Sequence, residues 1–492
     1  MIQVNVPNGA GGIPLSLWLS QAGYSVVLPC GGAGRCGNCR IRVLSGRLCD
    51  RDHPEKTLIP DENGEVRACK ALLSDEVTVI GIPDGWDAPK SEKPPRFYPT
   101  AALDLGTTTL ALRLRDENGN VLESTSANPE CVFGADVASR ITATEKHGVV
   151  TVRECLLDRL RALLSGCTVG RMSVVGNPTM IHILAGVSPA SIGISPFVPV
   201  FSDEKVLSGD ALGLPIGEIV LLPGVRDAGY LGSDLTAGAF ASGILDSPVP
   251  AIYLDLGTNG ELLLTTGTEN GGHLYAASCA VGPCFEGAGI GSGVGGIPGA
   301  VSRVSYRDGS FVFSTVDDFP PIGITGSGLI DLFALLLLDG TIKRDGRLQR
   351  SFQLSGSQSF QNGTISSPMQ TPVKIEQRDV RAVQTAKAAV RAGISAMLRA
   401  SWMEPEDVGR VLIAGSFGKY LDPAAASAIG LFPPEWTEDA TAVGNAALEG
   451  AERSLLSPNA LAGVKRIAAT AHIVDLNSSL AFREAFLNRM DF

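Results

Sequence analysis

The sequence predicts a multidomain α/β protein: a small β-rich module, a proline-rich tether, and two similar α/β halves. Three observations predict it. Cys30, Cys36 and Cys39 stand close together and Cys69 follows at a distance. Pro83, Pro89, Pro94, Pro95 and Pro99 crowd one short stretch. The run Leu103-Asp-Leu-Gly-Thr107 returns as Leu254-Asp-Leu-Gly-Thr258.

Residues 1–82 form the first module. Ile2–Val6 alternates as an edge strand, Leu15–Ala22 suits a helix, and Arg40–Val43, Gly64–Ala71 and Val77–Ile82 suit further strands. This order fits a β-grasp ferredoxin. The cysteines agree with it. Cys30-x5-Cys36-x2-Cys39 with a distant Cys69 is the kind of loop that a plant-type 2Fe–2S cluster needs. Glycines between the first three allow the positive φ and the close N–H approach that a wrap around sulfur requires. Cys49 lies between the third and fourth positions and is read as a non-ligand. Structural zinc is the alternative, but it prefers paired short spacings and only one such pair is present. Cys131, Cys155, Cys167, Cys279 and Cys284 read as small buried apolar residues.

Residues 83–99 read as a semi-rigid linker. The repeat then divides the rest into two subdomains, 100–250 and 251–492, each opening with a β-hairpin whose turn carries Asp, Gly and Thr. Thr109–Leu114 and Leu262–Thr265 continue the hairpins. Thr151–Leu164 reads as a helix, and Val174–His182 as a strand, a turn and a helix start. A glycine-crowded stretch, 282–299, precedes the helix Leu329–Leu338. Residues 351–372 suit hairpin and loop. Asp379–Ala400 is an amphipathic helix whose polar face carries Gln384 and Lys387. Val411–Gly418 reads as a buried strand ending in a glycine turn, and Val443–Gly450 as a turn and a helix.

The net charge of −11 over 492 residues excludes a nucleic-acid binder, because no basic surplus is available to neutralise phosphates. The start lacks a signal-peptide pattern and the longest apolar run, near Leu332–Leu338, is too short to span a membrane. Ten cysteines without a secretory start imply reduced or metal-bound thiols, and so a cytoplasmic protein.

The hairpin turns suggest a nucleotide clamp. Gly106, Thr107, Thr108 and Thr109, with Gly257, Thr258 and Asn259, present backbone N–H and hydroxyl groups suited to phosphate oxygens. Asp104 and Asp255 suit holding Mg²⁺ through water or orienting an attacking water. With the later Ala414-Gly-Ser-Phe-Gly418 turn, the set resembles the superfamily of actin, sugar kinases and heat-shock-type chaperones. The resemblance implies a two-lobed actin-like (ribonuclease H-like) ATPase fold. It makes Asp104–Thr109 and Asp255–Glu261 the phosphate motifs, and Gly415, Ser416 and Gly418 part of the adenosine motif. Gln384 and Lys387 are candidates to flank the base, but a solvated helix face is the preferred reading of both. Glu261 and Glu286 are alternative bases or Mg²⁺ contacts. His182 is read as a satisfied helix histidine rather than a metal ligand.

A ferredoxin joined to such an ATPase makes nearly the whole chain similar to the reductive activators of corrinoid-dependent methyltransferase systems. Asp136–Ile141, Val174–Gly186, Gly282–Gly287, Gly326–Asp331 and Ala386–Ala389 add to the likeness. The resemblance implies ATP-driven reduction of a corrinoid protein's Co(II) to Co(I), an upstream ferredoxin or reductase as donor, and a homodimer joined through the ATPase. Two alternatives stand beside it. One is the activator of a 2-hydroxyacyl-CoA dehydratase, disfavoured because that kind lacks an N-terminal ferredoxin module. The other is a nucleotide-gated redox sensor or chaperone-like binder. Two departures are expected: absence of the extra domain that larger relatives carry before the ATPase, and an unusually glycine-rich loop at Gly289–Gly296.

Overall fold

A computed structural model describes residues 2–6, 13–22, 24, 26, 39–74, 76–83, 96–134, 136–360, 363–365, 372–418, 420–476 and 478–492. Contacts divide the chain into two units, 1–222 and 223–492.

The first unit begins with a four-stranded antiparallel sheet, ordered Ile2–Val6, Thr78–Ile82, Arg40–Ser45, Glu65–Arg67. Alternation along the first strand turns Val4 and Val6 inward. They pack with Ile41, Ile80 and Ile82 and with Leu15 and Leu19 of the helix Leu15–Gln21. The strand expected over 64–71 is interrupted. After Glu65–Arg67 the chain makes a 3₁₀ turn, Ala68–Lys70, and then a two-residue strand, Ala71–Leu72. A continuous strand would send Ala68 and Cys69 to opposite faces. The turn buries both completely.

The remainder of this unit is a six-stranded sheet. Its order is Lys205–Ser208, Ile216–Leu221, Cys167–Gly176, Arg96–Leu105, Thr109–Arg115, Val121–Ala127. The last three strands form an antiparallel meander, while Arg96–Leu105 runs parallel to Cys167–Gly176 and that strand to Ile216–Leu221. Helices Val149–Leu163 and Pro178–Ala185 pack Leu156, Leu160 and Ile183 against it.

The second unit repeats this topology. Its sheet is ordered Ala440–Gly444, Arg410–Ala414, Ala251–Leu256, Asn259–Thr265, Leu274–Ala280, His472–Ile473. Again an antiparallel meander follows the first strand, and two parallel strands lie on its other side. Both Asp-Leu-Gly-Thr runs therefore occupy the same place: the end of the central strand and the turn into the meander. The long helix Gln377–Ala400 covers one face. Helices Ser233–Ala241, Ala446–Leu456 and Pro458–Thr470 lie on the other. Gly450 lets two of these helices touch: a Cβ there would stand 2.1 Å from the Ala237 carbonyl oxygen. A five-stranded sheet, including Ala300–Arg307 and Ser310–Thr315, and the helix Gly326–Leu338 complete the unit. Residues 361, 362 and 366–371 of the segment expected to be hairpin and loop lie outside the described residues.

Candidate functional site

Cys39 and Cys69 converge. Both are buried, and their sulfurs lie 3.2 Å apart. Arg51 Nη1 donates to the Cys69 carbonyl at 3.1 Å and holds the inward turn. Two thiols this close, buried in a small β module, suit joint ligation of one iron. Cys30 and Cys36 lie outside the described residues. Cys49 belongs to a two-stranded ribbon with Leu72. Among the described residues no group of three His, Cys, Asp or Glu side chains is arranged to hold a metal ion.

The first hairpin turn is held from outside by its carbonyls. Asn128 Nδ2 donates to Gly106 O at 2.8 Å, Arg140 Nη2 to Thr107 O at 2.7 Å, and the Asn128 amide to Thr108 O at 2.8 Å. The Gly106 amide donates to Thr109 O, and a Cβ on Gly106 would meet that oxygen at 2.8 Å. Asn177 Nδ2 donates to the Thr107 hydroxyl at 2.9 Å while its Oδ1 caps the helix Pro178–Ala185. With the carbonyls of Gly106, Thr107 and Thr108 tied back, the turn is fixed in place at the end of the central strand. Asp104 stands in register with Ala111 and Val175, at the strand end beside the turn.

The second turn differs in its charge. Asp255 stands directly opposite Glu261 on the neighbouring strand, so both carboxylates share one face. Loss of water, then Asp234, Asp255 and Glu286, pushes Glu261 well above the usual carboxylate range. The Thr258 hydroxyl donates to Glu286 Oε2, the Gly257 amide to Asn259 O at 2.9 Å, and the Gly282 amide to Thr258 O at 2.8 Å. Crowded carboxylates of this kind are relieved by a divalent cation. Ala111 takes the place of Glu261 in the first unit, so only the second turn carries the acid pair.

Gly415 follows Ala414, which is in register with Asp255. Its φ of +86° needs glycine, and a Cβ would lie 3.2 Å from Asp255 Oδ1. The glycine turn expected here is a short helix, Gly415–Gly418, which carries Ser416. Gly418 sits against the strand: a Cβ would meet Ile413 O at 2.6 Å.

Gln384 and Lys387 are placed otherwise than expected. Neither lies on a solvated face; both are buried. Gln384 Nε2 donates to Met490 O at 2.8 Å, and Lys387 Nζ donates to Asp491 O and sits 5.3 Å from the Phe492 ring centroid. They fasten residues 490–492 to the helix. The glycine-rich loop is anchored to the same helix, where the Gly291 amide donates to Asp379 Oδ1 at 2.8 Å. Beside it a cavity of about 400 Å³ is lined by Gly282, Pro283, Cys284, Gly289, Arg378 and Arg381, among others. Burial pushes the Cys279 and Cys284 thiols up to about 12, so neither is a nucleophile. His182 is satisfied: Nδ1 lies 2.7 Å from Pro178 O, and Nε2 accepts from the Val200 amide at 3.1 Å.

Asn128, Arg140 and Asn177 are site residues that sequence reasoning did not assign. Asn177 follows the glycine of the parallel strand as Ser416 does in the second unit. The internal repeat was the available signal. Arg140 lies within the segment Asp136–Ile141 that adds to the family likeness, but its role was not legible there, and Asn128 left no signal, because their partner carbonyls are 33 and 22 residues distant.

Three family models match this arrangement. Residues 3–74 match a 2Fe–2S iron–sulfur cluster binding domain. Residues 100–247 match the RACo middle region, and residues 250–492 match the C-terminal domain of RACo, the ASKHA domain. The chain belongs to the RACo family. The match to the RACo middle region falls on the segment read as the first ATPase subdomain. A solved structure titled reductive activator for corrinoid, iron–sulfur protein superposes with a TM-score of 0.71 at 26% identity, over 98% of this chain and 96% of that one. The corrinoid activation enzyme RamQ of Eubacterium limosum is 30% identical over 399 residues, 75% of this chain and 66% of that protein. A methylated amine-specific corrinoid protein reductase of Methanosarcina barkeri is 24% identical over 80% of this chain and 76% of its own length. This RACo-family chain therefore pairs a 2Fe–2S domain with an actin-like domain, and no helix among its described residues is long and apolar enough to cross a membrane.

Proposed function

We propose that this protein is a cytoplasmic, ATP-dependent reductive activator: it passes one electron to the Co(II) corrinoid of a methyltransferase corrinoid protein and regenerates Co(I). The observation that carries the reading is the union in one chain of the converging Cys39–Cys69 pair and the duplicated Asp-Leu-Gly-Thr hairpins. The names of the relatives support the same substrate.

Cys30, Cys36, Cys39 and Cys69 are the ligands in this reading. The bound cluster supplies a one-electron donor near −400 mV, approximately. Co(I) demands a still lower potential, and ATP supplies the difference. Gly106 to Thr109, Gly257 to Asn259, and Gly415, Ser416 and Gly418 bind the nucleotide. Asp104 and Asp255 position Mg²⁺ and water, and Glu261 and Glu286 shape the field around them. The arginine-lined cavity of about 400 Å³ is of the size that small-ligand pockets have, and its Gly282 is tied to the second turn. An upstream ferredoxin or reductase recharges the protein, and a homodimer through the ATPase is part of the reading by resemblance.

The test mixes the reduced holoprotein with a Co(II) corrinoid protein under nitrogen, with and without Mg·ATP. Stimulated ATP turnover together with the Co(I) spectrum is expected. Nucleotide-dependent docking without Co(I) overturns the reading in favour of a redox sensor.

A further inference from the structure

The segment after the first meander joins two cores. It runs from Asn128 through the 3₁₀ turn Pro129–Val132 to Phe133. Cys131 is buried in the core of the N-terminal module, with Leu15, Leu19 and Cys69, and Val132 packs against that core. Phe133, next along, packs against the core of the six-stranded sheet. Glu130 lies between, fully buried, its amide bonded to Asn128 Oδ1 at 2.9 Å.

Arg140 meets it there. Both side chains are fully buried, and Nη1 donates to Glu130 Oε2 at 2.9 Å. The other guanidinium nitrogens hold backbone: Nε donates to Gly134 O at 2.8 Å and Nη2 to Thr107 O at 2.7 Å. One planar, rigid group thus links the phosphate turn to the segment that enters the N-terminal module. Among the described residues Glu130 Oε1 has no hydrogen-bond partner. A buried pair with a half-satisfied carboxylate is a poor stabiliser compared with apolar packing. Its geometry is better explained by what it transmits. A packed core does not absorb a small displacement of the Thr107 carbonyl gradually; Arg140, Glu130 and the turn carrying Cys131 have to follow it.

We infer that the Arg140–Glu130 pair is a positioning device that couples nucleotide at the first phosphate turn to the redox state of the N-terminal module. This rests on the functional reading above, in which nucleotide binds residues 106–109 and a cluster sits in that module. Linkage makes the coupling reciprocal: if nucleotide alters the module, the redox state alters nucleotide affinity by the same factor.

The probe is Mg·ADP, titrated under nitrogen into oxidised and into reduced holoprotein. The two Kd values are expected to differ about 5-fold or more, the low end of typical coupling. In Glu130→Gln both states still bind, and the difference disappears. A wild-type ratio near one, or a ratio that survives in Glu130→Gln, overturns the coupling. Amide exchange in the wild type is an arm that needs no variant: Mg·ADP is expected to slow exchange across residues 129–134, and unchanged exchange with nucleotide bound overturns the proposal. Absence of Mg·ADP binding in both redox states overturns the functional reading, and the coupling with it.

Discussion

The Sγ atoms of Cys39 and Cys69 lie 3.2 Å apart, although 30 residues separate them in the chain. One ends the close-spaced loop; the other rides a 3₁₀ turn that folds it inward. Thiols brought together this way suit ligation of one iron. Replacing Cys39 or Cys69 by serine is expected to abolish the visible absorption of the purified protein and to lower its iron content. Cys49→Ser, altering a ribbon residue, is expected to leave both unchanged. Iron analysis and absorbance under nitrogen check this.

Asn177 has two duties, a helix cap and a bond to the Thr107 hydroxyl. Asn177→Ala is expected to lower stability by about 1 kcal/mol through the lost cap and to weaken nucleotide binding. Asn177→Asp keeps the cap but places a negative charge at the phosphate turn. Its stability should recover while nucleotide affinity falls below that of the alanine variant. Denaturant unfolding and nucleotide titration separate the two effects.

Gly415 occupies a left-handed conformation against Asp255. Gly415→Ala is expected to lose about 1–2 kcal/mol in chemical unfolding, the usual strain of a Cβ in that region. ATP turnover should fall with it, because relief of the strain moves the Asp255 side chain or the strand end.

Glu261 is held above the ordinary carboxylate range by burial and by three acidic neighbours. The folded protein then binds more protons than the unfolded chain above the ordinary glutamate pKa, so stability falls as pH rises. Glu261→Gln is expected to raise the Tm of nucleotide-free protein at about pH 8 and to change it little at about pH 5, where the side chain is largely neutral in the fold. Added Mg²⁺ should narrow the difference in the wild type. Thermal scans at the two pH values check the sign.

Lys387 is buried against Asp491 and Phe492, and burial pulls its amine down to about 8. Between that value and its unfolded pKa the unfolded chain binds the extra proton. The wild type should therefore gain stability relative to Lys387→Met as pH rises from about 8 toward about 10. A pH-independent difference between the two would contradict this placement.

The sequence by itself determined the duplicated hairpins and the strand after each, because these signals are local: period and turn chemistry within a dozen residues. The observed helix Gln377–Ala400 lies within two residues of its expected start for the same reason. Only the tertiary structure decided that Gln384 and Lys387 are covered by residues 490–492, which lie more than a hundred positions away in the chain. It also decided that Cys69 leaves its strand to meet Cys39, and that Arg140 holds Thr107. Amphipathic period separates apolar from polar positions, but it cannot tell a face met by water from one met by another segment's carbonyls. That choice is made by packing between residues far apart in the chain, and there the burial of polar groups is compensated by partners that no local pattern announces.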